Sequence, residues 1–325
     1  VDSFQQMSDG VALGAQGVAA LWLTSSQVLG AVQPSSAISG FTRRPEVSME
    51  LLLLSAGFQL RSGHEGCQAP LRGVAAAAVV MMPTLVVSAH SVMWSEALGC
   101  QLLLLPWWDP DGCPLPYVSM ASALMLTLLV AYLSSLGDLL VTLERQGRLW
   151  KFAVLVWIVG LIPTAYTLVA HSHAPTTLMW TWPAAQLADV LLGICAAGKP
   201  FSSWQGGMAD ALCTIVIVVL LLPISEFTLQ GYHVAKLSGL GFALCLGSGT
   251  SLVAQFLAHP ALVGLGNSSW EAIFLCAPLL ELSGRYLGKD FQQSAPGFLA
   301  FNFCLWTMAS NLALGLRLAI SSAFQ

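Results

Sequence analysis

The side chains able to do chemistry are few and scattered. His90 and Glu96 lie near each other in sequence and could form an acid–base pair, because a histidine of near-neutral pKa can take a proton from a hydroxyl. Their spacing is not that of a helical i,i+4 pair, and both fall at the end of an apolar run, where an interfacial role is the plainer reading. His171 and His173 fall in a connection, and His233 and His259 fall at run ends, where histidine meets solvent or headgroups. The acids in or beside apolar runs are more telling: Asp138, Asp189, Asp210, Glu271 and Glu281. A charge held in a bilayer is expensive and is kept only for use. Glu271 lies one turn from Ser268 and could bond inside a bundle. A proton or ion path would need several such acids facing one another, which spacing alone does not establish.

Cysteine and aromatic residues add weaker options. The eight cysteines show no CxxC or His/Cys ligand spacing, so no metal site is expected. Cys100 and Cys113 flank a loop at residues 106–110; a disulfide between them requires an oxidising space, with Cys67 as a third candidate partner. Most of the eleven Trp residues, Trp107, Trp108, Trp150, Trp180, Trp182 and Trp204 among them, sit at run ends and read as an aromatic belt at headgroup level. The sharper alternative is contact with lipid, quinone or pigment rings. In that case Gln27, Gln186, His90 and His259 are the candidates to ligate a pigment magnesium, directly or through water. Asn267-Ser268-Ser269 matches a glycosylation sequon but opens a span, so it is expected to stay unmodified.

The elements that must position these residues are apolar helices. Of 325 residues, 56% are hydrophobic and 9% charged, and mean hydropathy is +0.74. A soluble domain carries about 25% charged residues, so most of this surface must face lipid. Apolar runs and their breakers predict about ten spans, near 11–32, 47–60, 73–94, 116–136, 149–171, 176–198, 208–226, 234–258, 260–283 and 296–320. All should be helices, since an isolated strand cannot satisfy its backbone in lipid. Connections are short, so the expected architecture is an all-α, polytopic bundle forming one integral membrane domain over 1–325, with no soluble domain. Turn chemistry marks the connections at 33–36, 109–112 and 198–200. Small-residue clusters at Ala75 to Ala78 and at Gly239, Gly241, Gly247 and Gly249 read as close helix packing. Arg145, Arg148 and Lys151 form the strongest cationic loop and would lie on the cytoplasmic or equivalent side, with the N-terminus; Arg43 and Arg44 then lie opposite. Net charge is -4 and no basic cluster suits nucleic acid. The chain begins at Val1, which fits a start downstream of a removed leader or of further sequence.

One late stretch, His259 to Pro278, carries Leu265-Gly266, Ser269-Trp270, Cys276 and Pro278 in order. It resembles the late signature of the membrane acyltransferase family three, which runs hydrophobic-Pro, Leu-Gly, Ser-Tyr, then Leu-x-His-x-Pro. Trp182-Pro183 through Gln186, Asp189 and Gly193 resembles that family's Pro-x-x-Arg-hydrophobic-x-acid segment. Leu53-Leu54-Ser55-Ala56-Gly57-Phe58 resembles its Leu-Ser-Gly-Phe segment with one residue added. The likeness runs over nearly the whole chain, and the family has a ten-helix core. It implies transfer of an acyl group, commonly from acyl coenzyme A, to a sugar or lipid hydroxyl.

The residues that the resemblance makes catalytic are replaced. Where the family's first span carries Arg and His with ten residues between them, this chain has Gln16 and Gln27. Glutamine neither takes up a proton nor carries charge. Alignment on Pro83 sets Ala76, Ala77 and Val80 at the family's donor-binding cations, and Arg72 lies about two helical turns away. Gln186 stands for a further Arg and Cys276 for the late His, while Asp189 keeps an acid position. The resemblance therefore implies a catalytically silent fold, reused as a structural or accessory subunit of a larger membrane complex, respiratory and photosynthetic assemblies both being open. Its partners would be membrane lipids and other membrane subunits, with bound lipids or pigments as cofactors, and an organelle membrane is one location. The alternatives are an active O-acyltransferase using acyl coenzyme A with displaced residues such as His90 and Arg72, and a small-molecule or proton-coupled transporter.

Overall fold

The computed structural model describes residues 2–32, 45–62, 136–160, 183–198, 203–221, 239, 241–243, 251–286 and 294–323. Among them every regular element is a helix. In chain order these are α1 (Asp2–Val32), α2 (Pro45–Ser62), α3 (Leu136–Arg145), α4 (Leu149–Gly160), α5 (Pro183–Gly198), α6 (Ser203–Leu221), α7 (Leu252–Leu257), α8 (Pro260–Gly266), α9 (Ser269–Tyr286) and α10 (Ala295–Ala323). The expected run at 73–94 and all but the last residue of that at 116–136 lie outside the described residues, as do Cys67, Cys100 and Cys113.

Burial follows a helix's place in the row. Every residue of α2 from Val47 to Phe58 is buried, because α1 covers one side and α5 the other. A helix apolar all round belongs in a core, and the unbroken Leu51 to Leu54 run supplies it. Beyond α2, α1 packs on α7, α8 and α9, and α9 packs on α10; beyond α5 lies α4. The outer helices turn apolar side chains outward: Leu155 and Ile158 on α4, Ile215 on α6, and Leu299, Phe303 and Leu314 on α10.

Glycine decides how close the inner helices come. A Cβ on Gly57 of α2 would strike the backbone carbonyl of Val190, and one on Gly193 of α5 would strike that of Leu54. The same reciprocity joins α1 to α7 and α8: Gly14 abuts the Leu257 carbonyl, Gly17 that of Leu262, and Gly266 that of Leu13. Small residues allow such backbone contact, which dispersion forces then reward. The expected cluster at Gly239 and Gly241 has looser neighbours, with only Glu50 Oε2 as near as 3.3 Å to a Cβ on Gly239. Ala75 to Ala78, Gly247 and Gly249 lie outside the described residues.

The expected single span at 260–283 is two helices. Pro260 starts α8 because it lacks the N–H that would continue α7. His259 caps α8, its Nδ1 accepting from the Ala261 N–H at 3.3 Å. The weak helix formers Gly264, Gly266 and Asn267 then let the chain close off α8 through Asn267 and Ser268, and α9 restarts with the Ala272 N–H donating to the Ser268 carbonyl at 3.0 Å. With seven residues, α8 is about 10 Å long, a third of a bilayer core. Among the described residues one helical segment, Ala295–Leu316, is both long and apolar enough to cross a membrane. Its 22 residues span about 33 Å.

Candidate functional site

The stripe of α1 that faces α2 carries the first expected site residue. Gln16 is 1% exposed, and its Nε2 donates to Oε1 of Gln59 on α2 at 3.0 Å. Gln27 lies eleven residues on, about 16 Å along nearly the same face of α1; its side chain lies outside the described residues. On the α9 side, Cys276 is fully buried, and its thiol points at the Thr24 carbonyl of α1 at 3.9 Å. Cys276 therefore faces α1 about one turn before Gln27. Gln186 lies on α5 with its side chain outside the described residues; Ala76, Ala77, Val80, His90 and Glu96 lie wholly outside them.

The groups brought together here do not make proton-transfer machinery. The Gln16 amide donates to the Gln59 amide oxygen across the α1–α2 contact, and neither amide takes a proton in the physiological range. Thr24 donates to its own helix at the Ala20 carbonyl, Ser26 to Leu23 and Ser55 to Leu52, a common way for hydroxyls to be satisfied in an apolar setting. Gln59→Leu would strand the buried Gln16 amide and should lower stability by about 1–3 kcal/mol. The double variant Gln16→Leu/Gln59→Leu should recover most of that loss. Thermal melts of the wild type, Gln16→Leu, Gln59→Leu and the double variant in one detergent measure this; additive losses would show that the two amides do not lock each other.

A second polar locus lies between α2 and α5. Glu50 is 5% exposed and Asp189 1%. Both approach one point beside Gly239, where a Cβ would stand 3.3 Å from Glu50 Oε2 and 3.9 Å from Asp189 Oδ1. The α2–α5 contact thus brings two acidic side chains toward the same small residue. Asp189 was legible as an acid within an apolar run; Glu50 was missed, although it stands just before Leu51 to Leu54 inside the expected 47–60 span. That position was its signal.

Two further acids stand at helix starts. Both carboxylate oxygens of Asp210 on α6 accept from the first N–H groups of α7, Leu252 at 2.9 Å and Val253 at 3.1 Å. They meet donors that a helix start leaves open. Glu271, 1% exposed, sits in the first turn of α9, where the helix dipole favours an acid. Beside it the Ser268 and Ser310 hydroxyls, 3.3 Å apart, join α9 to α10. The side chains of Asp138 and Glu281 lie outside the described residues. His259 is exposed and spends Nδ1 on its cap. Among the described residues no three His, Cys, Asp or Glu side chains group as metal ligands.

Comparison with protein-family models, with curated proteins and with solved structures finds no match for this chain.

Proposed function

We propose that this chain is a multi-pass membrane protein, a bundle of about ten spans with an acyltransferase-three-like frame and no acyltransferase chemistry, serving as a structural or accessory subunit of a larger membrane complex. The observation that carries this reading is the inverted polarity of the bundle. Phe303 is 75% exposed, Leu299 67% and Leu318 62%, whereas the carboxylates Glu50, Asp189 and Glu271 are at most 5% exposed. In water the cost of that distribution is high on both counts; in lipid the outer faces are solvated and the buried acids are shielded. The Ala295–Leu316 segment fits the same setting, since only 22% of its apolar stretch is buried in the bundle, unlike a core helix of a soluble protein.

The silent part of the reading rests on Gln16 and Cys276. Each occupies a position where the resemblance calls for an ionisable group, and each is closed off by neutral neighbours, Gln59 and the Thr24 carbonyl. The glycines within the resembling segments, Gly57, Gly193 and Gly266, are helix-contact points, so what the frame retains is packing. A transporter is the second reading, favoured by the convergence of Glu50 and Asp189.

Gentle solubilisation of native membranes should recover the chain as a stoichiometric member of a large assembly, resistant to alkaline carbonate extraction. Purified chain should show no transfer or hydrolysis of acyl coenzyme A. Turnover abolished by His90→Ala would instead establish the acyltransferase, and proton uptake into vesicles abolished by Glu50→Gln would establish the transporter.

A further inference from the structure

We infer that the α3–α4 turn and the outward face of α4 together seat an anionic phospholipid, its phosphate held by Arg145, Arg148 and Lys151. This rests on the membrane reading above and adds a position and a lipid class to it.

The cations stand on either side of a tight backbone closure. The Gly147 N–H donates to the Glu144 carbonyl at 2.8 Å and the Arg148 N–H to the Leu143 carbonyl at 2.8 Å, with Gly147 at φ 65°. This is a Schellman closure, in which only glycine sits without strain. The Arg148 carbonyl then accepts from the Phe152 N–H at 3.0 Å and opens α4. Arg145, Arg148 and Lys151 are all exposed. The adjacent acid does not cancel them, because the Glu144 carboxylate is taken up by Arg61 of α2, which also donates to the Ile194 carbonyl at 3.4 Å.

Below the cations the same face is apolar. Lys151, Val154, Leu155, Ile158 and Val159 follow the i, i+3, i+4, i+7, i+8 rule of one helix face. Leu155 is 57% exposed and Ile158 51%. The opposite face is spent on the bundle, where Leu149 and Ala153 pack with Leu191, Leu192 and Cys195 of α5. Val154 to Val159 thus extend the exposed face of Lys151 along α4 for about a further turn and a half. A surface that runs from cations to an exposed apolar strip matches an amphiphile with an anionic head and acyl tails. Arginine and lysine recognise phosphate by charge-assisted hydrogen bonds.

The test uses the full chain reconstituted into vesicles of phosphatidylcholine alone and of an equal mixture with phosphatidylglycerol. Lipid retained on re-solubilised protein is counted by native mass spectrometry. The wild type should retain phosphatidylglycerol selectively, and Arg145→Gln/Arg148→Gln/Lys151→Gln should weaken that retention by about a hundredfold, roughly fivefold per cation. Arg145→Lys/Arg148→Lys/Lys151→Arg keeps the charge and should keep the selectivity. Equal retention of both lipids, or selectivity that survives the glutamine variant, overturns the proposal, as does displacement of the bound lipid by inorganic phosphate alone. Loss of a partner subunit from the glutamine variant when it is solubilised from native membranes, with lipid selectivity intact in vesicles, would assign the surface to protein and also overturn it. Carbonate extraction of the same samples is read separately: a chain that stays in the membrane without lipid selectivity sinks this inference alone, and an extracted chain sinks the membrane reading with it.

Discussion

Gly57→Leu should leave no folded bundle. The Cβ alone would overlap the Val190 carbonyl, and the leucine branches would need several further ångströms between α2 and α5. A side chain in the way can rotate, but a carbonyl held in a helix cannot. Overpacking against flexible neighbours costs about 1–3 kcal/mol, and here the whole α2–α5 contact, the most extensive among the described helices, must open. Gly57→Ala should already lower the melting temperature sharply, and so should Gly193→Ala, which meets the Leu54 carbonyl from the other side. Gly264→Ala and Gly315→Ala meet nothing within 4 Å. They should hold or gain stability, up to about 1 kcal/mol from helix propensity. Size-exclusion profiles and thermal melts in one detergent separate these outcomes. A Gly57→Leu protein that elutes and melts like the wild type would show that α2 and α5 do not meet in this register.

Phe303→Arg should cost membrane insertion about 2.5–3.5 kcal/mol, the penalty of a cation near the centre of a spanning helix. Phe303 lies near the middle of Ala295–Leu316 and is 75% exposed, so no bundle contact compensates. The sign of this effect separates two worlds. On a soluble protein, replacing a widely exposed phenylalanine by arginine is neutral or improves solubility. In a bilayer the same change should shift insertion of an isolated α10 segment by about a hundredfold, with Leu314→Arg acting in the same direction. Ser322→Arg, exposed at the C-terminal end of α10, is the matched control and should change little. Insertion measured by glycosylation mapping in microsomes reads the effect; a Phe303→Arg chain that stays folded and soluble without detergent would overturn the membrane reading.

Where the apolar runs are long and bounded by breakers, sequence and structure agree on the helices. The expected 47–60 and 296–320 correspond to Pro45–Ser62 and Ala295–Ala323, and 11–32 falls within Asp2–Val32. Pro260 marked a true boundary as well. The break at Asn267 and Ser268 was not legible, because the apolar composition is continuous across it and the interruption comes from several weak helix formers acting together. At the site, Gln16 and Cys276 could be singled out from their positions in the chain. Their partners could not: Gln59 lies 43 residues from Gln16, and Thr24 252 residues from Cys276. Asp210 shows the same limit: its place in or near an apolar run was legible, but not that its carboxylate accepts from the first N–H groups of α7.

Residue types and their order by themselves determined that this chain is helical, poor in charge, and apolar enough that its acids demand an explanation. Those properties are local, since a helix is fixed by bonds between residues four apart and by the volumes on its own surface. Only the tertiary structure decided which glycines carry backbone contact, that Glu50 and Asp189 converge, and that Gln16 is held by an amide. Each of those facts belongs to a pair of helices, and two helices choose each other by the fit of whole faces, a property that no single run of residues contains.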